Sequence, residues 1–404
     1  MRIVQVNVTC TAGSTGKICK AIGERLTEQG GESYILHVQS GAEEDPSRIP
    51  YATHRYIRAQ SLRSRILGNY GFNSRAATKR LIAHLERLRP DIVHLHNLHS
   101  HNCHLGLLFG YLKEKGIRII WTFHDCWAFT GYCPHFTMAK CDKWKNGCER
   151  CPQRYCHSFL LDRSRELYQK KKDLFTGLDL TVVTPSQWLA DLVKQSFLKD
   201  YPVTVINNGI DLTVFRPRES DFREKYGIPA DKRILLGVAF DWGVRKGLDV
   251  LVKLSETLDP ARYQLVLVGT NHRIDQQLPA NVISIHRTHN QTELAEIYSA
   301  ADLLLNPTRE DNSPTVNMEA LACGTPVLTF RTGGSPEMLD ETCGAAVPCD
   351  DTEAFRGEIL RICEKRPFSA ERCVEKAREF DQNQKYKEYI ELYERVNASR
   401  DQGN

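Results

Sequence analysis

Pro307-Thr308-Arg309-Glu310-Asp311-Asn312-Ser313-Pro314-Thr315-Val316-Asn317-Met318-Glu319-Ala320-Leu321-Ala322-Cys323-Gly324-Thr325-Pro326-Val327 reads as three pieces. A loop bearing acids leads to a helix that starts near Pro314, and a glycine stop at Gly324 precedes a new strand. The apolar run Leu303 to Leu305 comes just before, so Glu310 and Asp311 stand past the C-terminal end of a strand. Asp311 and Glu319 thus flank a helix N-terminus whose free amides can face a phosphate. The same spacing also suits a plain cap, with Asp311 or Ser313 accepting from those amides and Glu319 in solvent. Strand, loop, helix and strand is the unit of a doubly wound α/β fold.

The pattern continues in both directions. Ile234 to Val238, Leu265 to Val268, Val282 to Ile285 and Pro326 to Phe330 are further strands of the second half. Ile3 to Val8, Ser33 to Val38, Ile92 to Leu95, Ile117 to Phe123 and Leu180 to Val183 are those of the first, with helical spacing in Thr78 to Leu88. At 404 residues the chain exceeds what one core serves, so two Rossmann-like domains facing across a cleft are expected. Asn207-Asn208-Gly209-Ile210-Asp211 ends a strand in turn-forming residues, and Phe215-Arg216-Pro217 breaks the pattern. The expected domains are therefore 1-208 and 209-383. A C-terminal helix, 384-404, repeats Tyr386, Tyr389, Ile390 and Tyr393 at helical spacing. It needs a surface to cover, expected on the first domain, before a frayed tail from Ser399.

Composition narrows the function classes. With 41% hydrophobic and 26% charged residues the chain is an ordinary globular protein. It begins on a strand rather than a signal peptide and has no apolar run of membrane-spanning length, so a cytoplasmic location is expected. The formal charge of +4 does not by itself imply nucleic acid, but nine Arg or Lys residues and one acid, Glu86, lie between Arg55 and Arg89. Arg55, Arg58, Arg63 and Arg65 share a predicted helix with Ile57, Leu62, Ile66 and Leu67. That mixture suits peripheral contact with an anionic membrane, at the inner face, and a solvated helix face equally.

Of fourteen cysteines, six fall between Cys126 and Cys156. Without a secretory signal they read as thiols or metal ligands. Cys148 and Cys151 form a close pair that can grip one zinc ion, and Cys133 and Cys141 can complete a structural site. Cys126, Cys156, His135 and His157 are alternative ligands, and plain loop packing is the competing reading.

Other candidates stand at strand ends. Gly13, Ser14, Thr15 and Gly16 are read as the first strand-to-helix loop, where a phosphate or sugar can approach the backbone. His124 and Asp125 follow the run Ile119 to Phe123 and should emerge at the carboxyl edge of the sheet. Of His94 and His96, one is expected to face each side of its strand, leaving His96 as the one at the edge. Arg245 and Lys246, before Gly247, can hold a diphosphate with charge and free amides.

Taken together these segments resemble family 4 glycosyltransferases of the GT-B type. The resemblance rests on two acids separated by seven residues, Asp311 and Glu319, the second of which opens Glu-Ala-Leu-Ala-Cys-Gly-Thr-Pro-Val. It rests also on Pro90-Asp91-Ile92-Val93-His94-Leu95-His96-Asn97, Thr122-Phe123-His124-Asp125, Thr184-Pro185-Ser186, Arg245-Lys246-Gly247 and Gly333-Gly334-Ser335-Pro336-Glu337. It implies a retaining glycosyltransferase that takes a UDP- or GDP-sugar donor and a glycan or lipid-linked acceptor, as in capsular or exopolysaccharide synthesis, with no cofactor required for the chemistry. By the same match Asp311 meets the donor sugar, Glu319 the ribose, Lys246 the diphosphate, and His124 lies beside the reacting sugar. The amides after Gly333 and Gly334 join Lys246 and Arg245 in stabilising the leaving group. The first acid is usually Glu in this family, so Glu310 is an alternative to Asp311. Arg245 is a candidate for the charge of an arginine that relatives carry some six residues earlier. The Gly13 to Gly16 loop and His96 are assigned to the acceptor or a phosphate. Competing readings are a nucleotide-sugar epimerase of the same fold and, in another class, a zinc-loop nucleic-acid-binding module. The latter lacks interleaved aromatic and basic residues.

Overall fold

The computed structural model describes residues 1–39 and 45–398, so the expected fraying at 399–404 lies outside the described residues. The chain divides into two compact units, Met1–Asn207 together with the chain from Lys385 on, and Asn208–Gln384.

The first unit holds seven strands: β1 Arg2–Val6, β2 Glu32–Gln39, β3 Arg48–Thr53, β4 Ile92–Leu95, β5 Arg118–Thr122, β6 Leu180–Thr184 and β7 Val203–Val205. They form one parallel sheet in the order β3-β2-β1-β4-β5-β6-β7. Both faces are covered, which is why β4 and β5 are buried along their whole length. Val4, Val6, Leu95 and Trp121 turn into one core. Ile3, Ile92, Ile120 and Val183 turn into the other, which Tyr386, Tyr389, Ile390 and Tyr393 of helix Gln382–Ala398 complete. Strand β3, not expected from the sequence, contains Pro50 and sits at the sheet edge, where a missing N–H is tolerated.

In the second unit, β8 Arg233–Val238, β9 Tyr263–Val268, β10 Ile283–Ile285, β11 Leu303–Asn306, β12 Val327–Phe330 and β13 Gly344–Val347 form a six-stranded sheet. Its order is β10-β9-β8-β11-β12-β13, all parallel. Successive residues alternate between two cores, with Ile234, Leu236 and Leu304 in one and Leu235, Leu303 and Leu305 in the other. Strand β13 was missed because Gly344-Ala345-Ala346-Val347 carries little apolar contrast.

Each sheet is wound outward from its middle. The chain reverses direction across the sheet between β1 and β4 in the first unit, and between β8 and β11 in the second. Neighbouring crossovers leave in opposite senses there, and the loops at the carboxyl ends part to leave a crevice. Among the described residues no helix is long and apolar enough to cross a membrane.

Candidate functional site

At the second unit's reversal point, the loop after β8 enters a short turn of helix, Val244–Lys246, while the loop after β11 carries residues 307–314 into helix Thr315–Ala322. Here the Lys246 ammonium and the Asp311 carboxylate are in direct contact, both about four-fifths shielded from solvent. Their loops are laced together by backbone. The Arg309 N–H donates to the Arg245 carbonyl at 2.9 Å, and the Arg245 guanidinium donates to the Glu310 carbonyl at 3.3 Å. Gly247 has a positive φ of 73°, and a Cβ there would come within 2.2 Å of the Pro307 carbonyl oxygen, so the approach requires glycine.

The loop after β12 closes the site. Gly333, at φ 55°, leaves no room for a side chain against the Asp311 carbonyl, which also accepts from the Gly334 N–H at 3.3 Å. Beneath, Asn306 donates to Asn317 at 2.8 Å, Asn317 to Ser335 Oγ at 3.0 Å, and Ser335 bonds Thr329 at 2.7 Å. That buried chain ties β11, β12 and the helix start into one frame. No side chain caps helix Thr315–Ala322, so neither Asp311 nor Ser313 acts as the cap that spacing allowed. The Asn317 N–H is turned to the Pro314 carbonyl at 3.1 Å, which leaves the Thr315 and Val316 amides to face an anion beside Lys246. On the same helix, Glu319 accepts from the Tyr298 hydroxyl at 3.0 Å. Burial first, then the charge of Glu319, pushes that phenol well up, so it stays a donor. Glu310 is buried beside Asp311.

Arg309 organises this loop, and the sequence reading passed over it. It forms a forked pair with Asp249 at 2.7 and 2.8 Å and reaches Asp350 at 2.6 Å. Its partners lie some 60 and 41 residues away, so no local pattern marked it. A larger cavity of this unit, about 710 Å³, is lined by Trp242, Val244, Asp249, Asn271 and Arg273 and includes neither Lys246 nor Asp311.

At the first unit's reversal point stand the ends of β1 and β4. Gly13, Ser14, Thr15 and Gly16 are not a loop, as the sequence suggested, but the first turn of helix Gly13–Glu28. That turn is uncapped by any side chain and carries no acid, so its amides keep the anion-facing property assigned to the loop. Gly16 lets the turn pack on Thr9, whose Oγ would lie 2.6 Å from an added Cβ. The Asn7 side chain spans the two strands, donating to Thr15 Oγ at 3.3 Å and accepting from the Asn97 N–H at 3.3 Å.

His94 of β4 and His96, just past its end, correct the sequence reading. Residues two apart share a face, and the His94 and His96 rings lie 4.0 Å apart. His94 is held by Tyr393 at 2.6 Å and Thr122 at 2.8 Å, beneath the C-terminal helix. His96 sits between Gln5 Oε1 and His124 Nε2, each at 3.2 Å. Burial drives His94 down to about 3, His96 well below its ordinary range and His124 down to about 4, so all three are neutral at pH 7. His99, which the sequence reading did not single out, contacts Asp125 at 2.8 Å. Burial opposes its charge, but Asp125 outweighs burial and raises it. Burial likewise pushes Asp125 up, and His99 overcomes this to hold it at about 2. His96, His99, His124 and Asp125 line one small recess.

The four cysteines gather in one loop, but no three of their sulfurs lie within 4.8 Å of one another. Cys133 and Cys151 share a hydrogen bond, with Cys148 and Cys141 in electrostatic reach. Among the described residues, the group whose ligand atoms all lie within 4.8 Å of each other is instead His272, Asp275 and His286, in the second unit.

Two parallel α/β sheets, each with its candidate residues at the point of reversal, define the GT-B fold class. The sucrose-phosphate synthase structure from Thermosynechococcus elongatus superposes with a TM-score of 0.74 at 20% identity, covering 99% of this chain and 100% of that one. Anabaena Alr3699/HepE in complex with UDP and glucose gives 0.68 at 14% identity, over 98% and 99%. The family models for Glycosyltransferase Family 4 and for Glycosyl transferases group 1 match residues 16–214 and 232–365. WcaC of Escherichia coli K12, whose name describes a colanic acid biosynthesis glycosyl transferase, is 24% identical over 371 residues, 86% of this chain and 87% of its own. The chain belongs to the family 4 glycosyltransferases and is an enzyme of that class, which displaces the nucleic-acid-module and epimerase readings.

Proposed function

We propose that the chain transfers a hexose from a UDP- or GDP-sugar, with retention at the anomeric carbon, to a glycan or lipid-linked acceptor in capsular or exopolysaccharide synthesis. The contact of Lys246 with Asp311 at the reversal point carries the reading. A fixed cation, uncapped helix amides and a carboxylate stand within one frame there, matching a diphosphate joined to a sugar. Lys246, with Arg245 beside it, neutralises the leaving diphosphate, and the amides following Gly333 and Gly334 add donors. Asp311 accepts from sugar hydroxyls, and Glu319, already aligned by Tyr298, binds the ribose. The anomeric C–O bond to the diphosphate breaks as the acceptor oxygen bonds to that carbon, and the acceptor proton leaves with the diphosphate. The name of WcaC supports the polysaccharide context, and the UDP and glucose in the Alr3699/HepE complex support the donor class.

The test is a panel of UDP- and GDP-hexoses, measuring bound donor and released nucleoside diphosphate, with the product anomer assigned by NMR. A folded chain that binds none of them sinks the donor assignment, and an inverted product sinks retention.

The acceptor's lipid carrier implies a membrane face. Helix His54–Leu67 exposes Arg55, Arg58, Arg63 and Arg65 together with Leu62, Ile66 and Leu67. The Phe159 N–H bonds the Arg65 carbonyl at 2.8 Å, which brings exposed Phe159, Leu160 and Leu161 alongside. The apolar side chains would enter the headgroup boundary, while each arginine contributes about 1 kcal/mol near an anionic surface. Sedimentation with vesicles containing anionic lipid should fall sharply when Arg58, Arg63 and Arg65 are all changed to Glu. Equal sedimentation at low salt would remove this part of the proposal.

A further inference from the structure

We propose that the loop 126–156 is a structural zinc centre in which Cys133, Cys141, Cys148 and Cys151 bind as thiolates and buried Lys171 supplies the counter-charge. This goes beyond the transferase reading and does not depend on it.

Two of the sulfurs, Cys148 and Cys151, are arranged as acceptors. The Gly131 N–H donates to Cys148 Sγ at 3.2 Å, and the Gln153 N–H donates to Cys151. Amides aimed at sulfur favour the thiolate, the form that binds metal. Lys140 and Arg150, immediately before Cys141 and Cys151, both hold the left-handed conformation, at φ 47° and 45°. Such positions cost free energy for residues with a side chain and persist where surrounding bonds over-determine them.

Lys171 is the independent observation. It is fully buried, on helix Ser164–Phe175, with its ammonium 3.6 Å from the centre of the Trp127 ring. It donates to the carbonyls of Trp127 at 2.7 Å and Thr130 at 2.9 Å. Among the described residues no carboxylate forms an ion pair with it at contact distance; Cys148 and Cys133 are in electrostatic reach, and so, more weakly, is Asp125, which is already paired with His99. A buried ammonium needs nearby negative charge. Zinc with four thiolates carries two net negative charges, so the cluster would meet that need.

The loop also needs a staple. Its regular structure amounts to the short turns Trp127–Phe129 and Lys143–Lys145 and helix Arg154–His157. Trp144 packs against Phe129 and Phe136, with ring centres 5.3 and 5.0 Å away, as a small core. Zinc–sulfur bonds of about 2.3 Å place tetrahedral sulfurs roughly 3.8 Å apart. The centre therefore requires the present spread, in which no three of these thiols fall within 4.8 Å of one another, to contract by at least about an ångström.

The experiment is metal analysis of the full chain, purified without a polyhistidine tag and without added zinc. One zinc per chain is expected, retained by His286→Ala and lost from Cys148→Ser and Cys151→Ser. Because those cysteine variants can fail to fold, Co²⁺ is also exchanged into the wild-type chain, where four-sulfur ligation gives an intense thiolate-to-metal charge-transfer band. In Lys171→Met, zinc transfer to a chromogenic chelator should be about tenfold faster. Folded wild-type chain without zinc, cobalt lacking the thiolate band, or metal lost with His286→Ala overturns the centre. An unchanged release rate in Lys171→Met overturns the role of Lys171.

Discussion

The two reversal points are built on the same topology and hold opposite chemistry. In the second unit a lysine and an aspartate face each other across β8 and β11, next to an uncapped helix start. In the first unit the equivalent place, across β1 and β4, holds neutral imidazoles, an asparagine bridge and a glycine-bearing helix turn. Fixed charge suits a partner that carries charge, such as a diphosphate, and neutral donors and acceptors suit hydroxyls. Fold alone supplies the crevice, and the residues on its rim decide what it can hold.

If the comparison holds, the charged side should be far more sensitive to substitution. Lys246→Ala removes a charge-assisted contact to the leaving group, which costs about 2 to 4 kcal/mol of transition-state stabilisation. That is about thirtyfold to nearly a thousandfold in kcat/KM, with the thermal midpoint little changed. Near-normal turnover in the folded variant would abolish the distinction between the two sides.

Gly333→Ala tests whether the charged frame is rigid. The added Cβ would sit 1.7 Å from the Asp311 carbonyl oxygen at a positive φ, so the backbone must move. A loss of about 3 kcal/mol in unfolding free energy is expected, with a matching displacement of Asp311. Chemical denaturation measures it, and an unchanged midpoint would mean the loops yield freely.

On the neutral side the expected effect is smaller. His124→Ala removes a neutral hydrogen-bonding group, worth about 1 kcal/mol, or roughly fivefold in kcat/KM. A loss as large as that of Lys246→Ala would show that the two sides are not divided by charge.

The smallest effect concerns the one charged pair of that recess, His99 with Asp125. The folded value of His99 is raised, so its contribution to stability is fully present below its ordinary pKa and is lost as pH rises through the folded value. Asp125 is depressed to about 2, so its contribution is present above the ordinary carboxylate range and is lost as pH falls toward 2. The pair is therefore intact from mildly acidic pH to somewhat above 6.5. His99→Gln should flatten the fall in stability above neutrality, as read from thermal melts across pH. An identical slope in both proteins would place the charge elsewhere.

Much of this was legible in the chain itself. Apolar runs of four to six residues between helical segments identify parallel strands, because a sheet covered on both faces buries every residue of its strands. Loops at the carboxyl ends of those strands carried the candidates Lys246, Asp311 and His124, since such loops follow directly from strand boundaries. The weak edge strands β3 and β13 escaped, having few large apolar residues or a proline. Gly13 to Gly16 was placed in a loop because glycines mask the start of a helix.

Strand order and long-range pairing belonged to the tertiary structure. Nothing local in Arg309 announces Asp249 and Asp350, nothing in His99 announces Asp125, and Lys171 gives no sign of being buried. Nor does the sequence say that β8 lies beside β11, the single fact that brings Lys246 to Asp311 across 65 residues. Periodicity reports the faces of one element, whereas partners distant in the chain meet only when sheet order and burial set their positions and their charges.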